Sequence, residues 1–106
     1  MALADLAVGG VHRVAVVNDR PDAQPGRVRV HDLDGGLLLE CRVLAGTDTA
    51  TVVGHLPAPA TAACWRLEWI PDTGAPVTNH LLVGGRPYAL ADLTRWYHAL
   101  GLALPE

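Results

Sequence analysis

The stretch Cys64-Trp65-Arg66-Leu67-Glu68-Trp69-Ile70 constrains the fold more than any other part of the chain. Trp65, Leu67 and Trp69 alternate with Arg66 and Glu68, and successive side chains of a strand leave on opposite faces. The spacing predicts a one-sided β-strand whose two Trp face a core. Burying one Trp removes on the order of 150–250 Å² from water. This strand is therefore expected to anchor the packing of everything else.

The rest of the chain reads as further short strands. Leu3 to Val8 is a short apolar run closed by Gly9-Gly10, so residues 1–10 form a first strand or a linker, with residues 11–106 as one sandwich domain. Val11 to Val17 is rich in Val and predicts a strand. Asn18-Asp19-Arg20-Pro21 ends it, and the segment to Pro25-Gly26 reads as a polar loop. Arg27-Val28-Arg29-Val30-His31 alternates, Val inward and Arg and His outward. Asp32-Leu33-Asp34-Gly35-Gly36 carries Asp-Gly, a hairpin signal that assigns positive φ to Gly35. The return strand spans Leu37 to Leu44, and a turn at Ala45 to Asp48 leads into a strand from Thr49 to His55. Leu56 to Ala60, with two Pro, reads as a crossing between sheets. Val77 to Val83 follows the Trp strand as its antiparallel partner.

Beyond Pro87 the period changes. Leu90, Leu93, Tyr97 and Leu100 recur every three or four residues, with Asp92 in the first turn and Gly101 at the C′ position. Residues 88–100 are therefore expected to be helical, with Trp96 off the main stripe and half exposed. Six or seven short strands, turn signals every 8–12 residues and no βαβ rhythm predict an all-β, immunoglobulin-like antiparallel β-sandwich of about seven strands with one C-terminal α-helix.

Composition narrows the role. A chain of 106 residues has the length of one domain. The net charge is −3, and the eight basic residues are all Arg, spread singly from Arg13 to Arg95. Nucleic acid is not an expected partner, because its recognition needs a clustered basic face. No apolar run reaches the length of a membrane span. The N-terminus lacks a basic n-region and carries Asp5 early, so no signal peptide is read and the expected location is cytoplasmic. Cys41 shares the apolar parity of Leu39 and Val43, whereas Cys64 shares the polar parity of Arg66 and Glu68. Two thiols on different faces cannot reach disulfide distance, so both are expected free, with Cys64 the more exposed.

Chemistry-bearing patterns are sparse. Asp32-Leu33-Asp34-Gly35 resembles the middle of a calcium loop, but that pattern needs an acid at Val30 and Glu at Cys41, with Glu40 one residue short. A hairpin turn explains it better. His12, His31, His55, His80 and His98 show no His-x-His or His-x-x-x-His spacing, and they read as solvent-face residues rather than metal ligands. Glu40, Glu68 and Glu106 do not form the paired carboxylates of a glycosidase. Glu40 and Glu68 sit beside Arg42 and Arg66 on polar faces, where cross-strand pairing of opposite charges is expected. The chain contains no Ser. No His is placed beside Cys64, and Gly84-Gly85 lacks the spacing of a phosphate-cradling loop. No catalytic residue, cofactor or metal is expected.

Two groups of residues carry a family resemblance. The first is Val16-Val17-Asn18-Asp19, Gly26-Arg27-Val28-Arg29-Val30 and Asp32-Leu33-Asp34-Gly35. The second is Asn79-His80-Leu81-Leu82, Gly84, Pro87, Leu90 and Arg95-Trp96-Tyr97. In order and spacing they resemble the C-terminal immunoglobulin-like domain of family 2 glycoside hydrolases of the β-mannosidase type. The match covers positions 13 to 98. The resemblance implies an accessory domain of a larger enzyme, with the catalytic glutamates on a separate (β/α)₈ barrel. No family catalytic residue maps onto this chain, the expected partners are other domains of the parent glycosidase, and residues 3–10 are the tail of the connection. The alternative is a carbohydrate-binding module, which needs a row of exposed aromatics and would give the domain weak sugar contact. The direction of the Trp side chains separates the two.

Overall fold

A computed structural model of the protein describes residues 2–4, 10–84 and 88–101. It contains β1 (Ala2–Ala4), β2 (Val11–Asn18), β3 (Gln24–Asp32), β4 (Gly36–Ala45), β5 (Thr49–Pro57), β6 (Ala63–Pro71), β7 (Val77–Val83) and α1 (Leu90–Leu100). Six strands have seven to ten residues, and β1 has three. Of the expected first strand or linker, Ala2–Ala4 pairs with β2, while residues 5–9 lie outside the described residues. Residues 85–87 and Glu106 also lie outside them.

The strands form two antiparallel sheets, ordered β1-β2-β5 and β4-β3-β6-β7. Relabelled A to G, with β4 as C′, this is A-B-E against C′-C-F-G, the strand arrangement of an immunoglobulin-like sandwich. The Trp strand, β6, is central in the larger sheet. Its partners on β3 put Val28 opposite Trp69 and Val30 opposite Leu67. Trp65, Leu67 and Trp69 are 2%, 1% and 6% exposed and meet Val14 and Val16 of the smaller sheet in one core. Both Trp of the strand therefore face inward.

Several local readings are corrected by packing. Pro25 and Gly26 belong to β3 rather than to the preceding loop. Gly26 is buried where the Trp69 ring and the Ile70 carbonyl leave no room for a side chain. In the β3–β4 hairpin positive φ falls on Gly36 (93°), not Gly35, because the loop has three residues and its left-handed residue follows them. The helical stripe is Leu93, Trp96, Tyr97 and Leu100. Trp96 is 1% exposed rather than half exposed, and Leu90 is 73% exposed. The helix ends as expected: Gly101 has φ 73°, and its N–H donates to the His98 carbonyl at 3.1 Å.

Histidine 12 is not on a solvent face. The inward parity of Val14 and Val16 extends in both directions along β2, burying His12 at one end and Asn18 at the other. The His12 ring meets the Trp65 ring edge-on, with centroids 5.0 Å apart.

Candidate functional site

The polar side chains converge most strongly where the β3–β4 hairpin meets α1. Asp32 closes the hairpin: its Oδ1 accepts the N–H of Asp34 (2.9 Å) and of Gly35 (3.2 Å). This Asx-type turn points the Asp34 carboxylate outward. There Asp34 Oδ1 accepts from Arg95 Nε at 3.1 Å. Its Oδ2 accepts from an Arg95 terminal nitrogen at 2.9 Å and from the Trp96 indole N–H at 2.8 Å. Arg95 also donates to Asp92 one helical turn earlier, at 2.9 Å. Helical spacing brings this about, since residues three apart share a face.

The electrostatics follow from that geometry. Hydrogen bonds from Arg95 and then Trp96 hold the Asp34 carboxyl below its usual range. Both oxygens are engaged by donors, three bonds in all, from Arg95 and Trp96. The loop is the hairpin turn expected of it, with an ion pair to the helix added. Among the described residues no group of three His, Cys, Asp or Glu is placed to hold a metal ion.

Cys64 lies beneath this corner. Its carbonyl accepts the Leu33 N–H at 3.0 Å, and its side chain is fully buried, which corrects its expected exposure. Parity put Cys64 on the outer face of the large sheet correctly, but that face is closed over it at the β3–β4 hairpin. Burial, and then the charges of Asp32 and Asp34, push its thiol up to about 11. A thiol in that state is protonated at neutral pH and is a poor nucleophile. Cys41 is half-buried against the main core, and both cysteines are free, as their parity predicted.

Farther along the same face lies a band of charge. Arg29 pairs with Glu40 directly across β3 and β4, with Nε and Oε2 2.9 Å apart. Glu68 sits between His31 (3.1 Å) and Arg66 (3.3 Å). Arg42 forms a two-pronged contact with Asp72 at 2.7 and 3.0 Å, so Glu40 is matched by Arg29 rather than by Arg42. These contacts run from mostly buried (His31 with Glu68) to well exposed (Arg42 with Asp72), and each carboxylate sits beside a basic side chain rather than beside a second carboxylate. His80 meets Tyr97 edge-on, ring centroids 6.1 Å apart, which joins α1 to the middle of β7.

Asn18 is a polar anchor that its strand-ending position did not reveal. Its amide donates to the carbonyls of Asp22 (2.9 Å), Gly46 (3.0 Å) and Ala45 (3.4 Å), and its Oδ1 accepts the Arg20 N–H at 3.0 Å. One buried side chain thereby ties the β2–β3 loop to the β4–β5 turn. Chemically, the described residues give hydrogen-bonded and ion-paired joints between elements, not a nucleophile aligned with a base. Set against protein-family models, curated proteins and solved structures, the chain matches none of them.

Proposed function

We propose that this chain is a non-catalytic accessory domain of a larger glycoside hydrolase of the β-mannosidase type, serving to pack against that enzyme's other domains. One observation carries the reading. Four of the residues on which the resemblance rests, Asn18, Asp34, Arg95 and Trp96, join separate elements of the fold. Asp34 from the first group bonds Arg95 and Trp96 from the second, and Asn18 ties two loops. A set of motif residues spent on internal joints is what a scaffold domain requires.

The sugar-binding alternative needs flat aromatic faces in a row. Trp65, Trp69 and Trp96 are 2%, 6% and 1% exposed, so their faces are committed to packing. Two free thiols suit a reducing compartment such as the cytoplasm. No helix among the described residues is long and apolar enough to cross a membrane.

Three measurements on one preparation test the reading. The purified chain is expected to leave aryl β-mannosides intact. It is also expected to give no saturable response to manno-oligosaccharides below about millimolar, the range a single weak contact supports. The coding locus is expected to continue upstream into a (β/α)₈ barrel. Turnover abolished by Glu40→Gln or Glu68→Gln would overturn the non-catalytic reading, and micromolar sugar binding would transfer it to the binding-module class.

A further inference from the structure

A cleft opens at the end of the sandwich between the β3–β4 hairpin and the chain leaving β5. Its volume is about 220 Å³, and its walls are Leu38, Leu56, Pro57, Pro59 and Trp65, with Asp32 as the one charged residue. Three local irregularities meet there. Asp32 follows the inward parity of Val28 and Val30, so a carboxylate stands at the end of a core-facing row, opposite Trp65. Leu38 is the extra residue of a bulge, since Val30 pairs with Leu39 and His31 with Leu37; it remains 41% exposed at the cleft. Bulges re-aim side chains and concentrate beside functional sites. The opposite wall is pinned, because the Ala58 N–H donates to the Gly10 carbonyl at 2.8 Å.

The carboxylate defines the ligand. Asp32 Oδ1 is occupied by the two N–H groups of the turn, while Oδ2 has no hydrogen bond among the described residues. A guanidinium favours two parallel bonds to both oxygens of a carboxylate, whereas an ammonium is satisfied by one. The volume is below the roughly 300 Å³ at which small-molecule sites begin, and matches a single side chain instead. We propose that this cleft receives the side chain of a lysine from a partner polypeptide, its methylenes against Leu38, Leu56 and Pro57 and its ammonium on Asp32 Oδ2. These 106 residues contain no Lys, so the lysine lies outside them and a second copy of them does not supply it. The inference does not depend on the glycosidase reading.

The test uses the full chain and follows amide and Trp65 indole resonances during titration. The probes are Nα-acetyl-lysine N-methylamide, n-pentylammonium, n-pentanol and pentanoate. Both ammonium probes are expected to saturate with dissociation constants of about millimolar, the range for some six non-hydrogen atoms. Pentanol and pentanoate should bind about tenfold more weakly or not at all. Asp32→Asn keeps an oxygen acceptor for the turn and should abolish the preference for the ammonium. Leu38→Ser, at an exposed position that leaves the core intact, should weaken both ammonium probes. Pentanol binding as well as pentylammonium, a preference untouched by Asp32→Asn, or no saturable shift would each overturn the proposal. Binding of pentylammonium without the lysine amide would overturn the partner assignment.

Discussion

Trp96 donates its indole N–H to Asp34 over 2.8 Å and across 62 residues of sequence. The donor is buried and its acceptor is on a hairpin tip, so this bond fixes where α1 rests on the larger sheet. Asp34→Ala would leave the indole N–H without its partner inside the packed corner. An unsatisfied buried donor costs about 1–3 kcal/mol. We expect a loss in that range in urea unfolding, and a smaller one for Asp34→Asn, which retains an oxygen. A loss below about 0.5 kcal/mol, the scatter of ordinary surface substitutions, would show that the bond does not hold the helix.

Acid should weaken the same joint. The Asp34 carboxyl is held below its usual range by hydrogen bonds from Arg95 and Trp96. A carboxyl whose folded pKa is depressed contributes stability above its unfolded value and loses it as pH falls through the folded one. The melting temperature of wild type should therefore fall more steeply below about pH 4 than that of Asp34→Asn. Other carboxylates titrate in both proteins, and the difference between the two curves isolates this one. Parallel curves would count against the assignment.

Alternation made the interior of the sandwich legible. Trp65, Leu67 and Trp69 on β6 and Val28 and Val30 on β3 follow period two, and all five are buried. The same rule also contained His12 and Asn18, two positions either side of Val14 and Val16, although polar residue type argued against it. Period alone could not reveal what covers the second face of a strand. Cys64 obeys parity by lying on the outer face, yet it is buried where the hairpin, distant in sequence, meets it. Trp96 escaped for the same reason: a helix turns its true stripe toward the surface it meets, and that surface is set by tertiary packing. The Asp34–Arg95 contact required both placements at once.

The core makes a sharper demand at Gly26. A Cβ there would sit 2.6 Å from the Ile70 carbonyl oxygen and 2.7 Å from the Trp69 ring. One obstacle is backbone, so repacking of the ring cannot relieve it. Gly26→Ala is expected to cost about 1–3 kcal/mol, as overpacking of a well-filled core does. Trp69→Ala should cost about 3–5 kcal/mol by truncating a buried aromatic, and it should not make Gly26→Ala harmless. Chemical denaturation of the two single variants and the double variant checks both statements. A neutral Gly26→Ala would mean that β3 and β6 lie farther apart than described.

The thiols report on the helix directly. Cys64 is fully buried, and burial together with Asp32 and Asp34 pushes it up to about 11. At pH 7 only on the order of one molecule in ten thousand would carry a thiolate there, against a few per cent for an ordinary cysteine. Cys41 is half-buried and is raised by burial alone. A disulfide reagent added to single-thiol variants should modify the Cys64→Ala protein, which reports Cys41, much faster than the Cys41→Ala protein, which reports Cys64. If α1 and the hairpin form the cover, Asp34→Ala should accelerate modification of Cys64 about tenfold, corresponding to roughly 1.4 kcal/mol of easier opening, and leave Cys41 unchanged. Equal rates for the two thiols would contradict the burial of Cys64. Acceleration of both together would mean that Cys64 is reached by unfolding of the whole sandwich rather than by release of its cover.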